Sequence, residues 1–469
     1  MFTLITIAIV IFAVLYVIDS RGSKKSEEKL GIQDHMRGAR IVDDLVHGER
    51  TECEMRLAGV TVPGDILPRG FIIPGSPGSG KTQAIQGWLD GALEYVDKYG
   101  SKAIITDSGG GLLSRFGSDS DQILNPFDIR ARNWNPFAEI RNTVIDIPRI
   151  CESIVTDRSG DEARWAGRAR NLLIDFMTVA AKKEEYRSPK TAMRIITAAD
   201  TTELKTVLSG TPSEALTSKE NAEFFASIQG VLTESIRFWQ YLDDDGTFSV
   251  RDWIKQDAGG VLWLTYQDDN IANMRYLVSC WMDIAITEIL SGLESDGAIK
   301  YWLLTDEIDS LGRIPMLTSA LTRGRKYGLS SLAALQSIAQ IRDTYGKEKA
   351  QVLLSSYVSK LIMQQGSFDD AKYWSDEIGQ AEVLREELSD SENQGNSSTV
   401  SKELSHGSTS GSSTSKSYRR TIETVVLPSE LQRLKPLTGY LQLAGDEYTR
   451  FVKMQYENRE REMPGFLPK

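Results

Sequence analysis

The strongest chemical signal in this 469-residue sequence is a glycine-rich stretch with the pattern GxxxxGK[ST]. Its residues are Gly75, Ser76, Pro77, Gly78, Ser79, Gly80, Lys81 and Thr82, and they follow an apolar run and precede an amphipathic one. The glycines let successive backbone N–H groups turn toward an anion, to which a helix N-terminus adds partial positive charge. In such a loop Lys81 reaches the β and γ phosphates of a nucleotide, and the Thr82 hydroxyl completes the shell of Mg²⁺. The pattern predicts binding of ATP with Mg²⁺.

Two adjacent carboxylates, Asp306 and Glu307, follow the apolar run 301–305. Hydrolysis at a P-loop needs one carboxylate on the metal and another that polarises the attacking water. We expect Asp306 to hold Mg²⁺ through its water shell and Glu307 to act as general base toward the γ-phosphate. An Asp-Glu pair after a strand is common by itself, but together with the glycine turn it predicts nucleotide hydrolysis.

Two further candidates flank the next apolar run, 329–335. Gln336 follows it, where a side-chain amide could contact the γ-phosphate or its water; the alternative is an exposed loop glutamine. The basic turn LTRGRK at 321–326 precedes it. An arginine from this turn could reach the nucleotide of a neighbouring subunit and neutralise charge in the transition state; the alternative is a solvated basic loop.

Strand, glycine loop, helix and strand alternate from Gly70 onward, which predicts an α/β fold with a parallel sheet. Strand-like runs vanish after about residue 147, and apolar residues then recur at helical spacing. Strand-like runs resume at 260–264. A helix-rich insertion inside a sheet-building chain predicts one discontinuous α/β domain that carries a second, all-α domain.

The predicted organisation along the chain is a membrane anchor at 1–19, the nucleotide-binding domain in two parts at 20–146 and 251–455, the inserted all-α domain at 147–250, and a C-terminal tail at 456–469. Within the second part, residues 389–417 are rich in serine, glycine and threonine and show no periodicity. We expect this flexible segment to be a mobile loop or an extended hairpin.

Composition excludes several classes of protein. Apolar residues make up 41% and charged residues 25%, so the chain is not disordered throughout. The net charge of −11 argues against a protein that coats DNA with its whole surface, so DNA contact would need a local basic patch. Three scattered cysteines and three histidines argue against a zinc enzyme.

Residues 1–18 contain no charged side chain and are followed by Asp19. As a helix they would span roughly 27 Å at ~1.5 Å per residue, just enough for the hydrocarbon core of a bilayer. Nothing basic precedes the run, whereas Arg21, Lys24 and Lys25 follow it, which favours an anchor over a cleaved signal peptide. These cations predict a single-pass protein whose bulk is cytoplasmic.

The ordered set of motifs resembles the type IV secretion coupling proteins, the TraD/TrwB class of conjugative DNA-transfer ATPases. The resemblance is carried by the apolar N-terminal run, LAGVTVP before GSPGSGKT, NPFDIRARNWNPF, WLLTDEIDSLGRI, LTRGRKYGLSSLAALQS and IGQAE. It covers most of residues 30–385 and returns near VVLPSELQRL and GYLQLAGDEYTRF.

The resemblance implies a RecA-like domain with an inserted all-α domain, homo-hexameric rings at the bacterial inner membrane, and delivery of DNA or protein to a secretion channel. Carried over residue by residue, the family's functional positions are Lys81 and Thr82 in Walker A, Asp306 and Glu307 in Walker B, Gln336 as sensor and Arg325 as arginine finger. Two features depart from the family. This chain shows one membrane helix where members commonly carry two, and Asp107–Gly111 replaces the usual basic stretch after the second strand, so no role is carried over there.

Three functions are compatible with these observations. The first is an ATPase that delivers DNA, as a relaxase-bound single strand, with relaxosome and type IV channel proteins as partners. The second is a coupling ATPase for protein effectors, and the third a nucleotide-binding membrane scaffold without motor activity. The intact Asp306–Glu307 pair argues against the third. A cytosolic RecA-like or HerA/FtsK-type motor fits the core but not the anchor.

Overall fold

The structure is a computed structural model that describes residues 33–43, 51–157, 162–395 and 409–469. The predicted anchor at 1–19 lies outside these residues, and within them no helix combines the length and apolar character that crossing a bilayer requires. The chain divides into two compact units, 1–41 with 372–430 and 42–371 with 431–469, which are described one at a time.

The strands, numbered along the chain, are β1 (Gln33–Gly38), β2 (Ile41–Asp43), β3 (Arg56–Leu57), β4 (Val60–Thr61), β5 (Gly70–Pro74), β6 (Lys102–Ser108), β7 (Gln122–Leu124), β8 (Gly260–Tyr266), β9 (Tyr301–Thr305), β10 (Leu329–Leu335), β11 (Tyr357–Ile362), β12 (Gln380–Gly395), β13 (Thr409–Thr424), β14 (Thr438–Gln442) and β15 (Thr449–Lys453).

The α-helices are α1 (Lys81–Tyr99), α2 (Leu113–Phe116), α3 (Thr143–Ile154), α4 (Glu162–Ala180), α5 (Pro189–Ala198), α6 (Thr201–Val207), α7 (Ala222–Ile236), α8 (Val250–Lys255), α9 (Ile271–Ser291), α10 (Leu317–Arg323), α11 (Ile338–Tyr345), α12 (Lys347–Ser356), α13 (Phe368–Ile378) and α14 (Pro428–Gln432). Short 3-10 helices occupy Pro136–Glu139, Glu184–Tyr186, Pro212–Thr217, Lys219–Asn221, Arg237–Tyr241, Asp268–Asn270, Ile308–Ser310 and Gly324–Tyr327.

The larger unit is built on a ten-stranded sheet with the order β2-β15-β14-β11-β5-β10-β9-β6-β8-β7. From β11 to β7 the neighbouring strands run parallel, whereas β14 and β15 join antiparallel. The central strands consist almost entirely of buried residues, as expected where helices cover both faces of a sheet. The α/β fold predicted from the sequence is therefore observed.

Aromatic residues fix the helix α1 against the sheet. The Trp88 ring of α1 lies 4.7 Å from that of Phe71 on β5 and 6.2 Å from that of Trp302 on β9. Trp88 and Phe71 are 2% and 0% exposed, so this contact belongs to the main core. The helix ends at Gly100, whose left-handed backbone (φ 66°) lets its N–H reach the carbonyl of Val96.

The parallel strands also end in register. Thr106 of β6 and Ala333 of β10 both pair with Thr305 of β9, and Leu335 of β10 pairs with Pro74 of β5. The residues that follow these strands therefore emerge at one edge of the sheet. This edge is where polar side chains can converge.

Helices and turns occupy the described residues from Thr143 to Lys255, between β7 and β8. The helical stretch is a few residues longer at each end than the predicted 147–250. At the first end, Asn142 accepts hydrogen bonds from the backbone N–H groups of Val144 and Ile145, and α3 therefore starts early. Asp200 caps the start of α6, since its carboxylate accepts two N–H groups of that helix.

In the smaller unit, β12 and β13 form a long antiparallel hairpin, and β1 pairs with β12. Of the two alternatives expected for the serine-rich segment, a mobile loop or an extended hairpin, residues 389–395 and 409–417 form the hairpin. Cross-strand backbone hydrogen bonds do not depend on side-chain type, so a serine-rich sequence without apolar alternation can still pair. Residues 396–408 lie outside the described part of the chain.

The entry to and exit from the helical stretch are joined through one buried carboxylate, Glu139. It accepts hydrogen bonds from Trp134 Nε1 (2.7 Å), Ser249 Oγ (2.8 Å), the Val250 N–H (2.7 Å) and the Arg251 N–H (3.2 Å). Burial raises the pKa of Glu139, and these donors oppose that rise.

We expect Glu139→Ala to lower the free energy of unfolding by about 3 kcal/mol, because three buried donors and one partly buried donor lose their acceptor. Urea denaturation followed by tryptophan fluorescence measures it. Glu348→Ala, at an exposed glutamate of α12, is the control and should stay within about 0.5 kcal/mol of wild type. Equal urea midpoints for the two variants would contradict a stabilising role of Glu139.

Candidate nucleotide site

The turn between β5 and α1, Gly75–Thr82, has the backbone shape of an anion-binding loop. Gly78 and Gly80 adopt left-handed conformations, with φ of 78° and 108°. A Cβ on Gly80 would lie 2.7 Å from a side-chain carbon of Leu437, whose own N–H donates to the carbonyl of Ser79 (2.8 Å). Only glycine fits Gly80 comfortably, and the turn delivers its N–H groups to the start of a nineteen-residue helix.

The Lys81 side chain folds back onto this turn. Its Nζ donates to the carbonyl oxygens of Gly75 (2.6 Å) and Ser76 (3.3 Å). Burial lowers the pKa of Lys81, and three nearby carboxylates oppose that change: Glu307, Asp309 and Asp306. The lysine therefore lies between the glycine turn and the acids that follow β9.

The two predicted acids, Asp306 and Glu307, lie beside the predicted sensor. The Asp306 N–H donates to Thr106 Oγ1 (3.3 Å), which ties the end of β9 to β6. Glu307 Oε1 accepts a hydrogen bond from Gln336 Nε2. The structure thus brings Lys81, Asp306, Glu307 and Gln336 to one edge of the sheet, although they come from three separate strands.

A third acid at the end of β9, Asp309, escaped the sequence analysis. Its carboxylate accepts the backbone N–H groups of Gln336 (3.2 Å) and Ser337 (2.9 Å), and the residue is 6% exposed. Asp309 holds the residue that in turn contacts Glu307. The only signal in the sequence is a carboxylate two positions after Glu307, and its partner cannot be known before the strand order is.

A fourth acid, Asp107, ends β6 at the position to which the resemblance assigned no role. Its Oδ2 accepts the Leu113 N–H (2.7 Å), whereas its Oδ1 is buried without a hydrogen-bond partner. Burial raises the pKa of Asp107 to about 7, and the neighbouring Asp306 contributes to that rise. Sequence reasoning missed Asp107 because an Asp followed by Ser-Gly-Gly-Gly also fits a solvated turn.

The residues of this edge fit a magnesium nucleotide. Ser79 Oγ is buried without a hydrogen-bond partner inside the glycine turn, so the turn offers a polar atom that an anion would satisfy. The Thr82 hydroxyl and the Asp306 carboxylate are the hard oxygen ligands that Mg²⁺ prefers. The Lys81 ammonium must leave two backbone carbonyls to reach a phosphate, and those are weaker partners than a phosphate oxygen.

Arg325, the predicted arginine finger, does not join this group. It lies exposed in the 3-10 helix Gly324–Tyr327 before β10, whereas Gln336 follows β10. Seven strand residues separate the two ends by roughly 20 Å at ~3.3 Å per residue. Arg325 therefore lies at the opposite edge of the sheet from the turn of its own chain.

Comparison with known proteins places this geometry in a family. A family model described as the type IV secretion-system coupling protein DNA-binding domain matches residues 54–455. Coupling protein TraD of Escherichia coli (strain K12) is 24% identical over 99% of this chain. The chain spans 64% of the length of that curated relative.

Solved relatives share the fold. The plasmid coupling protein TrwB in complex with the non-hydrolysable ATP analogue ADPNP is 31% identical, with a TM-score of 0.79 over 93% of this chain and 98% of TrwB. TrwB in complex with ADP and Mg²⁺ is 31% identical, with a TM-score of 0.78 over the same shares. VirB4 of Thermoanaerobacter pseudethanolicus, at 16% identity and a TM-score of 0.52 over 91% of this chain and 98% of VirB4, shares the fold alone. The chain belongs to the type IV secretion-system coupling proteins.

Proposed function

We propose that this protein is a membrane-anchored, hexameric ATPase that couples ATP hydrolysis to delivery of DNA to a type IV secretion or conjugation channel. The observation that carries the proposal is the convergence of Lys81, Asp306, Glu307 and Gln336 beside the glycine turn. A RecA-like reading of the α/β fold is consistent with it, and TrwB, whose fold the chain shares, has been solved with ADPNP and with ADP and Mg²⁺.

The proposed chemistry assigns each side chain a step. A water attacks the γ-phosphorus, its proton passes to Glu307, and ADP is the leaving group, with its developing charge stabilised by Lys81. Gln336 donates to Glu307 and so holds the base in one orientation. Thr82 and Asp306 would hold Mg²⁺, which supplies charge neutralisation at the β and γ phosphates.

The position of Arg325 supports the proposal that subunits assemble into a ring. An exposed arginine at the far edge of the sheet cannot serve the nucleotide of its own chain, but it can serve that of a neighbour. We therefore propose a homo-hexamer in which hydrolysis depends on contact between subunits. The charge-free run at residues 1–18 would anchor this ring in the bacterial inner membrane, with the bulk of each chain in the cytoplasm.

DNA is the proposed cargo. The matched family model is described as a DNA-binding domain, and TrwB is a bacterial conjugative coupling protein of plasmids. A motor that steps along any sequence must hold the phosphate backbone rather than read bases. With a net charge of −11, the lysines and arginines that contact a relaxase-bound single strand must be gathered locally.

Glu307→Gln should lower the rate of phosphate release by about 10²- to 10⁴-fold, because an amide cannot accept the proton of the attacking water. Binding of a fluorescent ADP analogue with Mg²⁺ should persist in this variant and be lost in Lys81→Ala. The exposed Glu348→Gln is the matched control and should behave as wild type. Near-normal phosphate release by Glu307→Gln would remove the general-base assignment.

Arg325→Ala should abolish turnover while sparing ADP affinity, and wild-type turnover per subunit should rise with protein concentration. Mixing Arg325→Ala with Glu307→Gln should restore part of the activity, since a neighbour then supplies the missing arginine to an intact site. Arg323→Ala, at an exposed arginine two residues away, is the control. An inactive mixture, or a normal rate for Arg325→Ala, would contradict an arginine acting between subunits.

Single-stranded DNA should raise the ATPase rate, with an effect that weakens steeply as salt increases. Turnover and oligomer mass measured with and without DNA test this expectation. If DNA changes neither quantity, the coupling of protein effectors becomes the better reading, and the helical stretch becomes the candidate cargo receptor.

A further inference from the structure

The last residues of the chain, 456–469, run across the larger unit without regular secondary structure and are called the C-terminal strap here. The strap begins beside the nucleotide turn, where the Glu457 N–H donates to Gln83 Oε1 (2.9 Å). Gln83 directly follows Thr82, so this contact lies in the first turn of α1. Arg459 then pairs with Asp90, about two turns further along the same face of α1.

The strap next covers the loop that follows β6. The N–H groups of Glu462 (2.7 Å) and Met463 (3.2 Å) both donate to the carbonyl of Ser114. The guanidinium of Arg459 lies 4.0 Å from the ring centre of Phe116, a cation–π contact. These contacts fix the strap on α2, the short helix immediately after the glycine run 109–111.

The far end of the strap is fixed on the segment NPFDIR. Arg130 Nη1 donates to the carbonyl of Pro464 (2.7 Å), and Asp128 accepts the Leu467 N–H (3.2 Å). The Ile129 N–H donates to the carbonyl of Leu467 (2.9 Å). Asp128 is fully buried and also pairs with Arg130, so a buried carboxylate holds this end of the strap.

Between these two fixed points, the strap and the glycine run pass each other backbone to backbone. A Cβ on Gly110 would lie 2.2 Å from the carbonyl oxygen of Gly465, and one on Gly465 would lie 2.3 Å from that of Gly110. Such distances leave no room for any side chain at either position. Gly109 and Gly110 are left-handed, with φ of 73° and 71°, a conformation that a three-glycine run does not hold by itself.

The loop that the strap holds leads to the backbone N–H group that donates a hydrogen bond to Asp107. The Leu113 N–H fixes one carboxylate oxygen, and the other oxygen is buried without a partner on the strand next to Asp306. A buried carboxylate oxygen without a donor is costly, and a cation with its bound water nearby would satisfy it.

We propose that the C-terminal strap is a positioning element of the nucleotide site, which holds the glycine run closed and thereby fixes Asp107 as an outer carboxylate of the Mg²⁺ held at Asp306. The proposal rests on the proposed function, because it deepens the role of the same site. Asp107 is a positioning residue in this scheme, since it acts through the water around the metal.

The test measures how much Mg²⁺ is required for half-maximal binding of a fluorescent ADP analogue to the full-length protein. Gly465→Ala and Asp107→Asn should each raise that concentration by about 10-fold, with binding in the absence of Mg²⁺ unchanged. Gly64→Ala is the matched control, because Gly64 also lacks a left-handed backbone but has no atom within 4 Å of an added Cβ. Hydrogen exchange at residues 109–117 should accelerate in Gly465→Ala and not in the control.

Wild-type Mg²⁺ dependence in Gly465→Ala, despite faster exchange at 109–117, would overturn the proposal and leave the strap a structural element. A wild-type result for Asp107→Asn would overturn it as well, and this near-isosteric variant decides the question if Gly465→Ala fails to fold. A wild-type protein that binds Mg²⁺ and ADP but releases no phosphate from ATP would contradict the motor function. The effect of the strap on Mg²⁺-dependent ADP binding could still be measured in that case.

Discussion

Because the central strands are parallel, their carboxyl ends lie at one edge of the sheet, and the candidate nucleotide-site residues follow those ends. The strands β5, β6, β9 and β10 are almost entirely buried, and their only charged side chains are Lys102 and Asp107, near the two ends of β6. Their registers align their carboxyl ends, and the first residues past those ends are the glycine turn, Asp306 and Gln336. A group of residues drawn from 75 to 336 therefore meets because of strand direction rather than closeness in sequence.

This convergence has an electrostatic consequence. Three acids (Asp306, Glu307 and Asp309) gather near the ammonium group of Lys81, and a fourth, Asp107, lies near Asp306. Burial disfavours the charged forms of Asp107 and Asp309 and raises the pKa of both, and the neighbouring Asp306 adds to the rise at Asp107. Backbone N–H donors offset part of this cost at Asp309 but leave one oxygen of Asp107 without a partner. The balance favours a site that receives a cation together with its anionic nucleotide.

How much of this was predictable depends on whether the signal was local. The strands 301–305 and 329–335 were predicted to the residue, because an apolar run bounded by polar residues marks a buried strand. The glycine turn, the pair Asp306–Glu307 and Gln336 also carry local signatures. Asp309, Asp107 and the strap do not, since their partners lie between six and several hundred positions away along the chain. At 389–417 the composition left two alternatives open, a mobile loop and an extended hairpin, and residues 389–395 and 409–417 form the hairpin. Backbone pairing in a long hairpin needs no apolar pattern, so composition could not choose between the two.

The strand direction that brings the glycine turn, Asp306, Glu307 and Gln336 together also keeps Arg325 away from them. Any residue in the turn before β10, such as Arg325, is separated from Gln336 by the full length of the strand. No local rearrangement of that turn moves its arginine across the sheet, since the intervening residues are the centre of the core. In the proposed ATPase, Arg325 would act on another chain, and the strand order of a single subunit would be the physical reason for the proposed ring. In the proposed motor, cooperation between subunits is thus a consequence of parallel strand order, and it requires no separate regulatory element.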